Sequence, residues 1–482
     1  MAPRQSRTPA KGLDCGTATR AGLTLIEMLV ATTVTLILMA AIGQVFSTFG
    51  RSVSGSRTAL DMNSRLRTAA WRLRQDLSGA TAPTLPPLDP VEGAGYFEAI
   101  EGPLHDADAA NGSSALAADI DDVLLFTTRT QGPPFRGAFA GSSIESNVAE
   151  VAWLARPTVP ATTPATYTLY RKQMLVVGYV GAGPFSAAGA GNQVAYSSLA
   201  SSWRTIYDTY DLSVSRRRNL GPPVVDMIVP NALADLTKRE YRFMHNYQGD
   251  TTGLPVVSGG QFPYAFASGN HMAPSTSLTQ ETLPSALEGL VFDAMSTRFG
   301  EDVVLTNVIA FDVRVFDPAA PLAISGSEVV APLDTNPASA FPPGPYLANG
   351  AYVDLGNGVT VPGPSGVAPF FSGTGSPLSR LSGSPTTPCV YDTWSTHYEA
   401  DGVDQDAVGG TDQGANGADD QVPARLGVSL VPADGVIDDV DEWETKPPYP
   451  YPLRGIEVRI RCFEPSSRQV RQVTVRHTFV PH

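Results

Sequence analysis

A carboxylate at the mouth of an uncharged apolar run is the residue of this chain best placed to do chemistry. In Gly22-Leu23-Thr24-Leu25-Ile26-Glu27-Met28-Leu29-Val30, Glu27 stands five residues past a glycine, and residues 28–50 carry no charged side chain. At about 1.5 Å per residue, a helix over this run crosses a hydrocarbon core of about 30 Å. A glutamate near the end of such a span costs up to about 3 kcal/mol unless a cation meets it. No Lys or Arg lies between Leu23 and Gly50. The nearest obtainable cation is therefore an amino terminus freed by cutting between Gly22 and Leu23, on this chain or on a neighbour. Glycine before that bond lets a protease approach the backbone, which a Cβ would hinder.

A second set of potential ligands lies far along the chain. Asp401, Asp404, Asp406, Asp412, Asp419 and Asp420 are spread over glycine turns, and Asp434-Gly435-Val436 repeats the Asp401-Gly402-Val403 start. Hard oxygen donors on flexible turns suit calcium, which accepts six to eight oxygens in irregular geometry. Twelve acids and one arginine give residues 401–444 a charge of −11, a density that is destabilising without screening by water or a cation. The spacing departs from the EF-hand template. A solvated acidic loop is one reading of this segment, and a calcium site, the one cofactor it suggests, is the other. Cys389 and Cys462 are an even pair for one disulfide outside the membrane, or two separate thiols; Cys15 falls before the span.

The elements that position these groups follow from pattern. Residues 1–22 carry Arg4, Arg7, Lys11 and Arg20 against Asp14, so this leader stays on the cytoplasmic side and the bulk of the chain lies across the membrane. The apolar run, residues 23–50, is longer than a secretory signal and continues into a polar helix over residues 51–79. There Leu66, Ala70, Leu73 and Leu77 recur at helical spacing beside Met62 and Ala69, with Arg65, Arg67, Arg72, Arg74 and Asp76 on other faces. Gly43, Gly50 and Gly55 weaken the helix between the two parts, and a bend is expected there. Ser78-Gly79 and then Pro83, Pro86 and Pro87 end it.

The remainder, residues 80–482, reads as β-rich. Strands are expected over residues 123–128, 148–155 and 167–177, the last two as a hairpin, and over 303–316, where Asp312 and Arg314 alternate with apolar residues as on a strand with one wet face. Residues 455–462 and 470–480 form a closing hairpin around Pro465-Ser466-Ser467, with His477 on its polar face. Two loop-rich insertions, about 180–300 and 317–450, interrupt this plan. The first holds Trp203, Tyr207, Tyr210 and Arg216-Arg217-Arg218; the second ends in Pro447-Pro448-Tyr449-Pro450-Tyr451-Pro452, a stiff extended approach to the last hairpin. The fold class is α+β.

The Gly22 to Glu27 signature resembles that of the type IV prepilins and type II secretion pseudopilins, with Leu23 where the family usually has Phe. The stem Arg72-Leu73-Arg74-Gln75-Asp76-Leu77, the strand at residues 305–313 and the closing hairpin are similar to minor pilins of the W class and pseudopilins of the J class. The resemblance implies a pilin-like fold, with the long helix packed on the β-rich head. It also implies cleavage after Gly22 and N-methylation of Leu23 by an inner-membrane prepilin peptidase, and assembly with other pilins through Glu27. The implied partners are that peptidase, other pilins or pseudopilins, the assembly platform and membrane lipid. The implied location is the bacterial inner membrane, amino terminus cytoplasmic and head periplasmic, and then the filament. A head acting as an adhesin and a static signal-anchored protein are the competing readings.

Charge and motifs weigh against other classes. The net charge of −14 becomes about −17 without the leader, which disfavours nucleic acid as a partner. No His-Glu-x-x-His, Gly-x-Ser-x-Gly, Walker loop or dinucleotide fingerprint is present, and the six histidines are scattered. A structural subunit, not an enzyme, is expected.

Overall fold

The computed structural model describes residues 24–101, 119–158, 165–185, 192–195, 206, 209–219, 225–243, 298, 300–332, 345–357, 364–372, 390–404, 410–420, 422–423, 430–431, 435–439, 442–445 and 447–479. The chain divides into two compact units, Met1–Leu60 and Asp61–His482. One helix, Leu25–Ser78, runs through the boundary without interruption, so Gly43, Gly50 and Gly55 do not break it. In the first unit it contains a span of 24 residues, Leu25–Thr48, long and apolar enough to cross a membrane, none of it buried.

In the second unit the helix is amphipathic, as its periodicity predicts. Met62, Leu66, Ala69, Ala70, Leu73 and Leu77 are buried in one stripe, each large side chain contributing about 1.5–3 kcal/mol. An i,i+4 pair, Arg65 with Asp61 at 2.8 Å, lies on the exposed side. The helix stops where its end meets a strand. Thr128 Oγ1 donates to the Asp76 carbonyl at 2.7 Å and Arg129 N donates to Gly79 O at 2.7 Å. A Cβ on Gly79 would collide with the Arg129 carbonyl, so the approach requires glycine.

The β-rich body is built on one ten-stranded antiparallel sheet: β1 Phe97–Ile100, β2 Val123–Arg129, β3 Val148–Pro157, β4 Tyr167–Leu175, β5 Val303–Ser325, β6 Glu328–Val330, β7 Tyr346–Val353, β8 Val390–Asp392, β9 Gly455–Glu464 and β10 Gln469–Thr478. The order is β8-β1-β2-β3-β4-β5-β9-β10, with β6 and β7 also on β5. The expected hairpins exist: β3 pairs β4 from Ala149↔Leu175 to Pro157↔Tyr167, and β9 pairs β10 from Gly455↔Thr478 to Glu464↔Gln469.

One face of the sheet packs with the helical stripe. Phe97, Leu124, Phe126, Val151, Trp153, Phe311, Val313, Val315, Ile456, Val458 and Ile460 join it in one core. The alternate residues, Ile100, Val123, Leu125, Ala152, Leu154 and Tyr170, are buried as well, under Ile206, Tyr210, Leu212, Ile228, Leu236 and Phe243. Both faces being covered explains the unbroken apolar run of β2. The first insertion is thus in part the second layer of the body, and Tyr210 is one of its buried anchors. Trp203 and Tyr207 lie outside the described residues.

Three expectations are corrected. The boundary at residue 317 falls inside β5, whose last part pairs with β7 and β6, and β8 forms one end of the sheet order, so the second insertion supplies three strands of the main sheet. The alternating polar residues of β5 are not wet: Asp312 and Arg314 are fully buried, with Arg314 Nε 3.1 Å from Asp312 and 3.2 Å from Asp354. His477 shares the face of Val473 and Val475, half-buried, its ring 4.9 Å from that of Phe479. Strand alternation cannot distinguish water from a buried counter-charge as the reason for a polar residue.

Buried charge recurs across the sheet. Arg239 and Arg242 close on Glu98 and Asp392, with Arg242 Nη1 3.1 Å from Glu98 and 2.7 Å from Asp392. Lys172, fully buried, lies 3.0 Å from Asp302 and 3.6 Å from Asp211. Under the helix, Arg171 grips Asp76 through Nε at 2.6 Å and Nη2 at 2.7 Å, and Trp153 Nε1 donates to the same carboxylate at 3.0 Å. Asp76→Ala would leave that guanidinium buried without its carboxylate, at a cost of about 3–5 kcal/mol. Urea unfolding of the full chain in detergent measures this; an unchanged midpoint would show that the pair does not hold the helix to the sheet.

Candidate functional site

The first turn of the long helix is the local setting of Glu27. Thr24 precedes the helix and Glu27 lies three residues on. Thr24 N donates to Glu27 Oε2 at 2.8 Å, Thr24 Oγ1 donates to the same oxygen at 3.0 Å, and Glu27 N lies 3.3 Å from Thr24 Oγ1. This is a capping box, Thr-x-x-Glu, in which side chains satisfy amides that have no intrahelical acceptor. The motif is visible in the sequence, yet a search for a cation passes over it. Both bonds from Thr24 fall on one carboxylate oxygen, so Glu27 keeps acceptor capacity on the other. Gly22 and Leu23 lie outside the described residues.

Along the span, four threonine hydroxyls are satisfied within the helix. Thr32 and Thr33 donate to Leu29 O at 3.0 Å each, Thr35 donates to Ala31 O at 2.7 Å, and Thr48 to Gln44 O at 2.9 Å. Such back-bonding lets hydroxyls sit in an apolar medium. Ile26, Leu29, Leu36, Ile37, Met39, Val45 and Phe46 are all exposed. The surface can be solvated by lipid or by other apolar helices, and Glu27 marks its end.

The acidic loop is knit by its own backbone. Asp412 accepts from Gly402 N at 2.9 Å, Asp401 from Val403 N at 2.9 Å, Asp419 from Gly435 N at 2.8 Å, and Asp438 from Gly417 N at 2.8 Å. Asn416 donates to Asp420. The carboxylates thus serve as acceptors for glycine turns. Asp404 is half-buried and Asp406 lies outside the described residues. Among the described residues, the carboxyl triads whose oxygens lie within 4.8 Å of one another are elsewhere.

Those triads are Glu101, Asp119, Asp354 and Asp119, Asp122, Asp312, all buried. Topology brings them together. β4 pairs with β5 only from Val303 to Val308, and β7 pairs from Val315 onward. Between these stretches Phe311 N donates to the Asp119 carbonyl at 2.8 Å and Val313 N to Asp122 Oδ2 at 2.6 Å. The segment entering β2 therefore fills a gap beside β5. Near the first of these pairings Asn307 adopts φ 57° where the register shifts, a left-handed conformation asparagine tolerates. Glu101 follows β1 and Asp354 follows β7, and Leu355 N donates to Glu101 Oε2 at 3.2 Å. Burial, together with repulsion from Asp122, Asp312, Asp354 and Asp121, holds the Asp119 carboxyl well above the usual carboxylate range. Asp122 is raised for the same reasons, against the opposing Val313 hydrogen bond. The sequence signal for this group was Asp119-Ile120-Asp121-Asp122, three acids immediately before an apolar strand.

Cys462 is a free, buried thiol with Sγ 3.9 Å from the Thr306 carbonyl, and burial pushes its pKa up to about 12. Cys389 lies outside the described residues. No protein-family model, curated protein or solved structure matches this chain.

Beside the acidic loop, burial and Lys238 lower the pKa of His397 to about 4 from an ordinary 6.5, against the opposing pull of Asp412. A histidine neutral in the fold favours the unfolded chain once the unfolded imidazole takes up a proton. Its contribution is intact above pH 6.5 and is lost as pH falls from there towards about 4. Wild type should lose more stability than His397→Gln between neutral and acid pH, read as the difference in melting temperature at each pH. Parallel pH profiles would contradict the assignment.

Proposed function

We propose that this chain is a minor pilin or pseudopilin: a subunit stored in the bacterial inner membrane, cut by a prepilin peptidase between Gly22 and Leu23, methylated on Leu23, and assembled into a type IV pilus or type II secretion pseudopilus. The observation that carries this reading is the single unbroken helix Leu25–Ser78. Its first part exposes an apolar surface long enough to span a membrane, and its second part buries a stripe in the β-rich body. Such a helix has one half for exchange between lipid and neighbouring helices and one half fixed to its own head. The Gly22 to Glu27 signature adds the processing site and the assembly residue. The role is structural, and the partners are the peptidase, other subunits, the assembly platform and lipid.

The driving force is physical. In the membrane the span is solvated by acyl chains; in a filament the same surface is buried against other helices, with little change in apolar exposure. What fixes register is then the polar group at its end. Glu27, already bonded to Thr24, retains an oxygen for the ammonium that cleavage unmasks on a neighbour, and the charge pair is strengthened by the apolar surroundings. Removing the carboxylate strands that ammonium in an apolar core.

Glu27 substitutions separate pairing from capping. Glu27→Ala should still be cut after Gly22 but be depleted by tenfold or more from sheared filaments, since each 1.4 kcal/mol is a factor of about 10. Glu27→Gln, which keeps an acceptor for Thr24 and loses the charge, should behave like Glu27→Ala. Wild-type recovery of Glu27→Gln would assign the residue to helix capping alone, and wild-type recovery of Glu27→Ala would remove it from assembly.

A further inference from the structure

Glu101, Asp119, Asp121, Asp122, Asp312 and Asp354 are each at most 4% exposed. They come from four separate places in the chain: the end of β1, the entry to β2, the middle of β5 and the end of β7. Arg314, fully buried, lies against Asp312 and Asp354, and Arg459 approaches Asp312 at 3.8 Å. Arg459 is also engaged by Glu457 at 2.7 Å. Six carboxyls thus converge in a buried region where repulsion between neighbouring charges is strong.

Asp119 supplies the independent observation. Its side chain is fully buried, and neither carboxylate oxygen has a hydrogen-bond donor among the described residues. An Asp119 oxygen nevertheless lies within 4.8 Å of carboxyl oxygens of Glu101 and Asp354, and one lies likewise near Asp122 and Asp312. A buried carboxylate without a hydrogen-bond donor and close to other carboxylates is costly. The backbone around it is fixed, since the Asp119 carbonyl accepts from Phe311 N, so the side chain is held in this position by the fold.

We propose that Asp119, Glu101 and Asp354 bind a divalent cation, with Asp122 and Asp312 completing its surroundings, and that the ion is calcium. All the donors are carboxylate oxygens, with no His or Cys in either triad, which selects a hard cation over zinc or copper. Carboxylates that bind through one or both oxygens meet the irregular six to eight ligands of calcium better than the strict octahedron of magnesium, which keeps several waters. The ion would supply the Asp119 carboxylate with its missing partner and tie together the ends of β1 and β7, the entry to β2 and the middle of β5. It is thus a structural site in the sheet, separate from the acidic loop at residues 401–444 and independent of the pilin reading.

The test uses the full chain in detergent, stripped with a chelator and then titrated with calcium alone. Wild type should retain calcium after desalting, measured by elemental mass spectrometry, and its melting temperature should rise by about 3 °C or more at saturation. Asp119→Asn and Asp354→Asn should lose both the bound calcium and the shift. The double variant Asp412→Asn, Asp419→Asn should keep both. Absence of bound calcium and of any shift in wild type overturns the proposal, as does loss of both in the loop variant with retention in Asp119→Asn. Where Asp119→Asn does not fold, Asp354→Asn gives the same decision, and calcium retained by the loop variant but not by Asp354→Asn upholds the site.

Discussion

An apolar helical surface of 24 residues, exposed among the described residues, is the constraint on which the rest depends. The hydroxyls of Thr32, Thr33, Thr35 and Thr48 bond back to their own helix, so these residues make no polar demand on whatever covers it. Lipid and other helices meet that requirement equally. Specificity therefore retreats to the one charged group at the end of the run, Glu27, where capping by Thr24 fixes the position of the carboxylate.

The body answers a different problem. A helix that buries a stripe on one face of a sheet leaves the other face to be covered, and here Ile206, Tyr210, Leu212, Ile228, Leu236 and Phe243 help to cover it. The face opposite the helix carries charge as well as apolar side chains: Glu98, Glu150, Lys172, Asp312, Arg314 and Glu457 are all buried. Glu150 is held by Tyr96, Ser213 and the Phe243 amide at 2.6–2.8 Å. Ion pairs of this kind add little net stability over apolar packing, because desolvation offsets their attraction. Their effect is on register, since a one-residue slip of β3 or β5 would turn these charges onto the helix-facing core. The carboxyl group around Asp119 stands apart from these pairs because neither Asp119 oxygen has a donor among the described residues.

Much of the fold was legible where local pattern decides it. The helical stripe at Met62, Leu66, Leu73 and Leu77, the strand at Val123, and the hairpins β3–β4 and β9–β10 all follow from periodicity over short separations. What was not legible depended on partners distant in sequence. Asp312 and Arg314 read as a wet face because alternation records polarity and not its counterpart, Asp354. Arg239 and Arg242 lay in a segment with no periodic signal, though they clamp Glu98 and Asp392. The acids were found by density at residues 401–444, whereas the convergent group comes from positions as far apart as Glu101 and Asp354, which only the sheet order brings together. Of the candidate site, Glu27 was visible from its setting, while its capping role emerged with the geometry.

The most direct measurement is the mass of the amino-terminal peptide of the chain purified from cell envelopes. A chain beginning at Leu23 with a single methyl group on its amine is the predicted result, since only that product supplies the ammonium that Glu27 requires. A chain beginning at Met1 or Ala2, with Leu23 internal, would contradict the proposed processing and with it the pairing that sets the register of assembly.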